Sequence, residues 1–82
     1  MVMNEDYLVL LYYCYSRIED SEVFREQHHL RCLELNLKGR IIIAEEGLNG
    51  TVSGLRADCE QYMQDVKSDP RFADIEFKVD EA

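Results

Sequence analysis

Apolar positions fall along the chain in four extended blocks and two helical stretches. Tyr7 to Tyr15 reads Tyr-Leu-Val-Leu-Leu-Tyr-Tyr-Cys-Tyr, with no polar alternation. Such a run marks a strand covered on both sides. Asp20 and Ser21 offer N-cap oxygens for a helix running to about Asn36. Lys38-Gly39 supplies its stop, because glycine readily takes the left-handed conformation just past a helix end. Arg40 to Ala44 contains Ile41-Ile42-Ile43, a second strand. After Glu45-Glu46-Gly47-Leu48-Asn49-Gly50, the segment Thr51-Val52-Ser53 is extended again. Gly47 and Asn49-Gly50 accept positive φ at low cost and predict the turn of a hairpin. Leu55, Cys59, Tyr62, Met63 and Val66 then fall on one face of a helix that Pro70 ends. Finally Ile75, Phe77 and Val79 alternate with Glu76, Lys78 and Asp80, as in a half-buried strand with one wet face.

The order β-α-β-β-α-β predicts an α+β, ferredoxin-like sandwich, an antiparallel sheet with two helices on one face. In that arrangement the first strand is central, and one sheet face has no helix over it. Yet the strand has no polar face. We expect Val9, Leu11, Tyr13 and Tyr15 to point toward the helices and Leu8, Leu10 and Tyr12 to point away. The first helix carries two stripes, Phe24, His28, Cys32 and Leu35 on one side and Val23, Leu30, Leu33 and Leu37 nearly opposite. One covers the sheet; the other packs on the second helix or awaits a partner.

The 82 residues form one domain, residues 1–82. A chain of this size buries only about 60–65% of its unfolded surface, so the core is thin. Nine basic against seventeen acidic residues give a net charge of −8. Binding of a polyanion runs on Lys and Arg neutralising phosphates, so this segment alone should hold nucleic acid weakly. Arg31, Lys38 and Arg40, near the end of the first helix, offer a local basic surface. Cys14, Cys32 and Cys59 are odd in number and contain no CxxC pair, which argues against a zinc knuckle, a redox couple or a stapled secreted domain. The expected setting is cytoplasmic, with reduced thiols. The acidic start Met-Val-Met-Asn-Glu-Asp does not resemble a signal peptide, and no stretch approaches about 20 apolar residues.

Candidate chemistry is sparse. Glu45 and Glu46 are adjacent in an extended segment and so face opposite sides, as solvated carboxylates do. Asn49 lies in a loop tip by this reading and is a candidate binding residue. His28 and His29 point about 100° apart on a helix and cannot chelate together. His28 and Cys32 are spaced i, i+4, but no further ligands converge with them. Tyr12, Tyr13 and Tyr15 suggest an RNA-recognition sheet, whose third strand should then carry an aromatic-rich basic motif; Gly50-Thr51-Val52-Ser53 does not. Arg17 follows the first strand, where an acylphosphatase holds its phosphate loop, but Tyr13 to Glu19 contains no glycine to build one. The chain is thus expected to hold no catalytic residue, no metal and no cofactor, with Arg31, Lys38, Arg40 and Asn49 as its candidate binding residues.

Lys38-Gly39-Arg40-Ile41-Ile42-Ile43-Ala44-Glu45-Glu46-Gly47-Leu48-Asn49-Gly50-Thr51-Val52-Ser53-Gly54 resembles the signature stretch of the rhodanese-containing tRNA uridine hydroxylases. Asp69-Pro70-Arg71-Phe72, Phe77-Lys78-Val79-Asp80 and Glu26 to Leu37 carry the same resemblance over nearly the whole chain. It implies an amino-terminal acylphosphatase-like domain, excised from a longer protein in which a rhodanese domain with a reactive cysteine follows. It also implies oxygen-dependent formation of 5-hydroxyuridine at the tRNA wobble position. Leu55 departs from the helix-capping Thr or Ser expected there. The expected function is an accessory, non-catalytic domain that shapes the tRNA or interdomain interface. Its expected partners are the rhodanese domain of the same chain and tRNA through the full-length protein, with no membrane. The alternatives are a freestanding acylphosphatase-like hydrolase and an interaction module that forms a homodimer through its open sheet face.

Overall fold

The computed structural model describes residues 7–81. Met1 to Asp6, the acidic stretch that argues against a signal peptide, and Ala82 lie outside the described residues. Strand β1 (Tyr7–Tyr15) leads to helix α1 (Ser21–Glu34), then to strands β2 (Lys38–Ala44) and β3 (Gly47–Leu55), helix α2 (Arg56–Lys67), a 3-10 turn (Pro70–Phe72) and strand β4 (Phe77–Glu81). The strands form one antiparallel sheet in the order β2-β3-β1-β4. Both helices cover the same face, where Leu8, Leu10, Tyr12 and Val52 of the sheet meet Cys32, Cys59, Tyr62 and Val66 of the helices.

The first strand is central, as expected, but its two faces are exchanged relative to the sequence expectation. Leu8, Leu10 and Tyr12 are buried beneath the helices, whereas Leu11, Tyr13 and Tyr15 are exposed on the open face. The register explains the choice. Tyr12 stands opposite Gly50, and a Cβ at Gly50 would lie 2.9 Å from the Tyr12 hydroxyl. The missing side chain makes room for the ring. A strand that is apolar on both faces carries no parity of its own, so its partner's glycines decide it.

The end of α1 also differs. Asn36, not Gly39, is the left-handed residue, at φ 57°. Its N–H bonds to the Leu33 carbonyl and that of Leu37 to the Cys32 carbonyl, the paired closure of a Schellman motif. Gly39 instead lies within β2 at φ 135°, with the Thr51 carbonyl oxygen 2.0 Å from where a Cβ would stand. At the other end, Asp20 is the N-cap residue but makes no side-chain cap bond. Of the two α1 stripes, Cys32, Leu35 and Leu37 are buried, while Val23, Leu30 and Leu33 face solvent.

The β2–β3 connection is shorter than expected. Glu45 and Glu46 alone make the turn, and Asn49-Gly50 lies inside β3 opposite Ile42 and Ile41. Leu55 ends β3 exposed, so the buried stripe of α2 is Cys59, Tyr62 and Val66, with Met63 half-buried. Pro70 opens the 3-10 turn, whose N-cap Asp69 accepts from the Arg71 N–H. Ile75 is buried and Phe77 half-buried, but Val79, on an edge strand, is exposed.

Candidate functional site

The pairing sorts the open face into rows. Ala44, Gly47 and Tyr15 lie side by side, then Ile42, Asn49 and Tyr13. Next come Arg40, Thr51, Leu11 and Lys78, and last Lys38, Ser53, Val9 and Asp80. An aromatic half thus adjoins a cationic half. Tyr13 is 68% exposed and Tyr15 82%, with ring centroids 5.8 Å apart. A shallow depression of about 960 Å³ is lined by Tyr13, Tyr15, Arg40, Asn49 and Lys78, and also by Asp74 and Glu76. Of the four candidate binding residues, Lys38, Arg40 and Asn49 fall on this face, with Arg40 and Asn49 lining the depression and Lys38 one row beyond Arg40. Arg31 sits apart on α1, held by Asp65 at 2.6 Å and Glu34 at 3.1 Å. Sequence reasoning passed over Lys78. Its signal was the polar phase of the last strand, which becomes meaningful only once the register aligns it with Arg40.

Beneath the helices a polar chain crosses the core. The Tyr12 and Tyr62 hydroxyls are hydrogen-bonded, and Tyr62 Oη lies 2.7 Å from His28 Nε2. Burial pushes both tyrosines above the ordinary phenol range. Burial also lowers the His28 pKa, against the pull of Asp65. The three groups form one continuous chain, which closes with His28 Nε2 either accepting from Tyr62 or, as N–H, donating to it. Every buried side-chain N or O among the described residues has a partner. The chain reads as a satisfied core network, the kind that fixes one packing arrangement.

The segment after β1 is closed to anions. Ser16 gives its N–H to the Glu46 carbonyl at 3.0 Å, and Ile18 gives its own to Glu45 at 2.8 Å. These are backbone donors that a phosphate loop would turn toward its ligand. Arg17 lies 3.8 Å from Glu19. Glu45 and Glu46 are exposed, as solvated carboxylates are.

His28 and Cys32 share one face of α1, but among the described residues no group of three His, Cys, Asp or Glu side chains gathers to hold a metal ion. Cys32 and Cys59 are buried and Cys14 half-buried, all as free thiols. Burial raises the Cys32 thiol to about 11. Burial and the neighbouring Asp58 and Glu60 push Cys59 up as well. Thiolate is the reactive form, so Cys32 and Cys59 should resist iodoacetamide in the native protein at pH 8 and react on unfolding. Mass spectrometry of timed alkylation reads this directly; rapid native-state labelling of Cys59 would contradict it.

Among solved structures, BlrB, a BLUF protein in its dark state, superposes with a TM-score of 0.74 over 98% of this chain and 64% of its own, at 18% identity. That likeness defines the class as a ferredoxin-like α+β domain. The family follows from sequence: residues 7–82 match the UPF0176 acylphosphatase-like domain, and the chain belongs to that family. It is 63% identical over 93% of its length to a tRNA uridine(34) hydroxylase of Cytophaga hutchinsonii. Proteins of the same name from Lactococcus lactis and Bacillus velezensis are 55% and 56% identical over 98% of the chain. The chain spans about a quarter of the length of these curated relatives. No helix among the described residues is long and apolar enough to cross a membrane.

Proposed function

We propose that this segment is an accessory, non-catalytic domain of a cytoplasmic tRNA uridine hydroxylase that forms 5-hydroxyuridine at the wobble position. It works beside a rhodanese domain of the same protein. The observation that carries the reading is the 63% identity, over 93% of the chain, to a quarter of a protein called tRNA uridine(34) hydroxylase. The non-catalytic part is supported by how polar groups are spent. His28 and two tyrosines are bound to one another inside the core, and the backbone donors beside Arg17 are bound to the hairpin. The test is a deletion series in cells lacking the parent gene, with 5-hydroxyuridine measured at tRNA position 34. Restoration by this segment alone would overturn the reading. Full activity without it would make the segment dispensable.

The hydrolase alternative has a direct assay. Acyl phosphate should be hydrolysed no faster with the protein than without it, because the Ser16 and Ile18 N–H groups are already donated. Turnover that Arg17→Ala abolishes would restore that alternative.

A further inference from the structure

We propose that the open face of the sheet is a platform for single-stranded RNA, on which Tyr13 and Tyr15 stack unpaired bases while Lys38, Arg40 and Lys78 hold the adjoining phosphates. This rests on the tRNA hydroxylase reading above and names the surface through which the RNA is held. Charge sorting is the first support. On a chain of net charge −8, the open-face strand positions carry these three cations against Asp80 alone. Arg17, Arg31, Arg56 and Arg71 are drawn into ion pairs elsewhere, whereas among the described residues none of the three face cations enters one. The carboxylates Asp74 and Glu76, just before β4, also line the depression, so the cationic character belongs to the strand positions and not to the whole hollow.

The aromatic half is the second support. Two tyrosines exposed by 68% and 82% meet edge to face, with ring planes 64° apart, and leave most of their aromatic surface open to solvent. Base stacking on such rings tolerates any sequence, because every base has a π-face. Asn49, flanked by Tyr13 and Ile42, adds an amide that can bond a base edge or a ribose hydroxyl. The outward residues of β3 are otherwise Thr51, Ser53 and Leu55, so stacking is confined to β1. The platform therefore holds about two bases with little sequence readout, and contributes to a larger interface rather than binding tightly alone.

Two other occupants fit less well. A second copy of the chain would gather two sets of these three cations into one shared interface with only the two Asp80 side chains of the strand positions to offset them. An apolar protein surface would leave Asn49, Thr51 and the cations to be desolvated without partners.

The test uses the natural full-length protein with a tRNA carrying uridine at position 34, and with its anticodon stem–loop. Two surface variants are compared, Tyr13→Leu/Tyr15→Leu and Lys38→Gln/Arg40→Gln/Lys78→Gln. The control is Val23→Ser/Leu30→Ser/Leu33→Ser on the solvent face of α1. Leucine keeps bulk and strand propensity while removing the ring, and thermal melts check each fold. The tyrosine variant should weaken binding about tenfold with its salt dependence unchanged. The cation variant should lower the slope of log affinity against log salt by about 2, at about 0.7 per phosphate on a single strand. The control should bind as wild type. Wild-type affinity and slope in both surface variants would overturn the proposal while leaving the hydroxylase reading intact. Normal binding with lost hydroxylation would assign the face to a neighbouring domain, which also overturns it. A natural protein that neither binds tRNA nor yields 5-hydroxyuridine would remove the hydroxylase reading and the platform together.

Discussion

Gly47→Ala is expected to destabilise the fold by about 4 kcal/mol, summing about 1–3 kcal/mol for a backbone conformation that side chains avoid and a similar amount for overpacking. Gly47 sits at φ 149°, and a Cβ there would stand 2.1 Å from the Cys14 carbonyl oxygen and 3.0 Å from the Tyr15 Cα. Both obstacles are main chain, so no rotamer change relieves them. The position matters beyond itself. Neither Glu45 nor Glu46 has a positive φ, so Gly47 alone supplies the one that lets the two-residue turn close. The carbonyls of that turn receive the Ser16 and Ile18 N–H groups, which ties the hairpin tip to the exit of β1. For a domain of 82 residues, total stability is roughly 4–12 kcal/mol at 0.05–0.15 kcal/mol per residue. The variant should therefore melt roughly 15–30 °C lower, or fail to fold. Gly54→Ala is the internal control. Its Cβ would meet Leu37 Cδ2 at 2.7 Å, the movable end of a side chain, and it should cost about 1 kcal/mol. Denaturation followed by circular dichroism separates the two; equal losses would mean that the approach at Gly47 is slack.

Gly47 also shows what a lone sequence discloses. The run Tyr7 to Tyr15 announced a strand with its observed ends, because apolar density over nine residues has few other uses. The second helix was legible from spacing, apart from Leu55, which belongs to the strand before it. What stayed hidden was register. Asn49-Gly50 resembles a turn in isolation, and only cross-strand pairing with Ile42 and Ile41 shows that it runs through the middle of β3. The same register turned Tyr13 and Tyr15 outward and aligned Arg40 with Lys78 in one row. Lys38, Arg40 and Asn49 were therefore legible as candidate binding residues, whereas Lys78 was not, and Tyr13 and Tyr15 were expected beneath the helices. Pairing between segments dozens of residues apart is a tertiary fact, and local pattern carries it only weakly.

The Tyr12–Tyr62–His28 chain, equally invisible in sequence, yields the second large effect. Tyr62→Phe should cost about 2–3 kcal/mol, because it strands the Tyr12 hydroxyl, on a residue only 6% exposed, without a partner. Tyr12→Phe should cost about 1 kcal/mol, since Tyr62 keeps its bond to His28. The double variant removes the orphan as well as its partner, so its cost should fall below the sum of the single costs. Strict additivity in that cycle would show the hydroxyls to be uncoupled. The histidine end adds a pH signature. Burial lowers the folded-state pKa of His28 below its ordinary 6.5, so above 6.5 the ring is neutral in both states and its contribution is fully present. As pH falls below 6.5 the unfolded chain takes up the proton more readily, and stability declines by at most about 1.4 kcal/mol per pH unit until the folded-state value is reached. Asp65 is opposed by burial but brought down by Arg31 and Gln61, and Asp69 is held down by Arg71. Both carboxylates start from 3.8, so their losses come in a separate and more acidic window. Urea midpoints between pH 7.5 and 5 should therefore fall for the wild type and fall less for His28→Gln; parallel curves would show that His28 titrates as freely in the folded protein as in the unfolded chain.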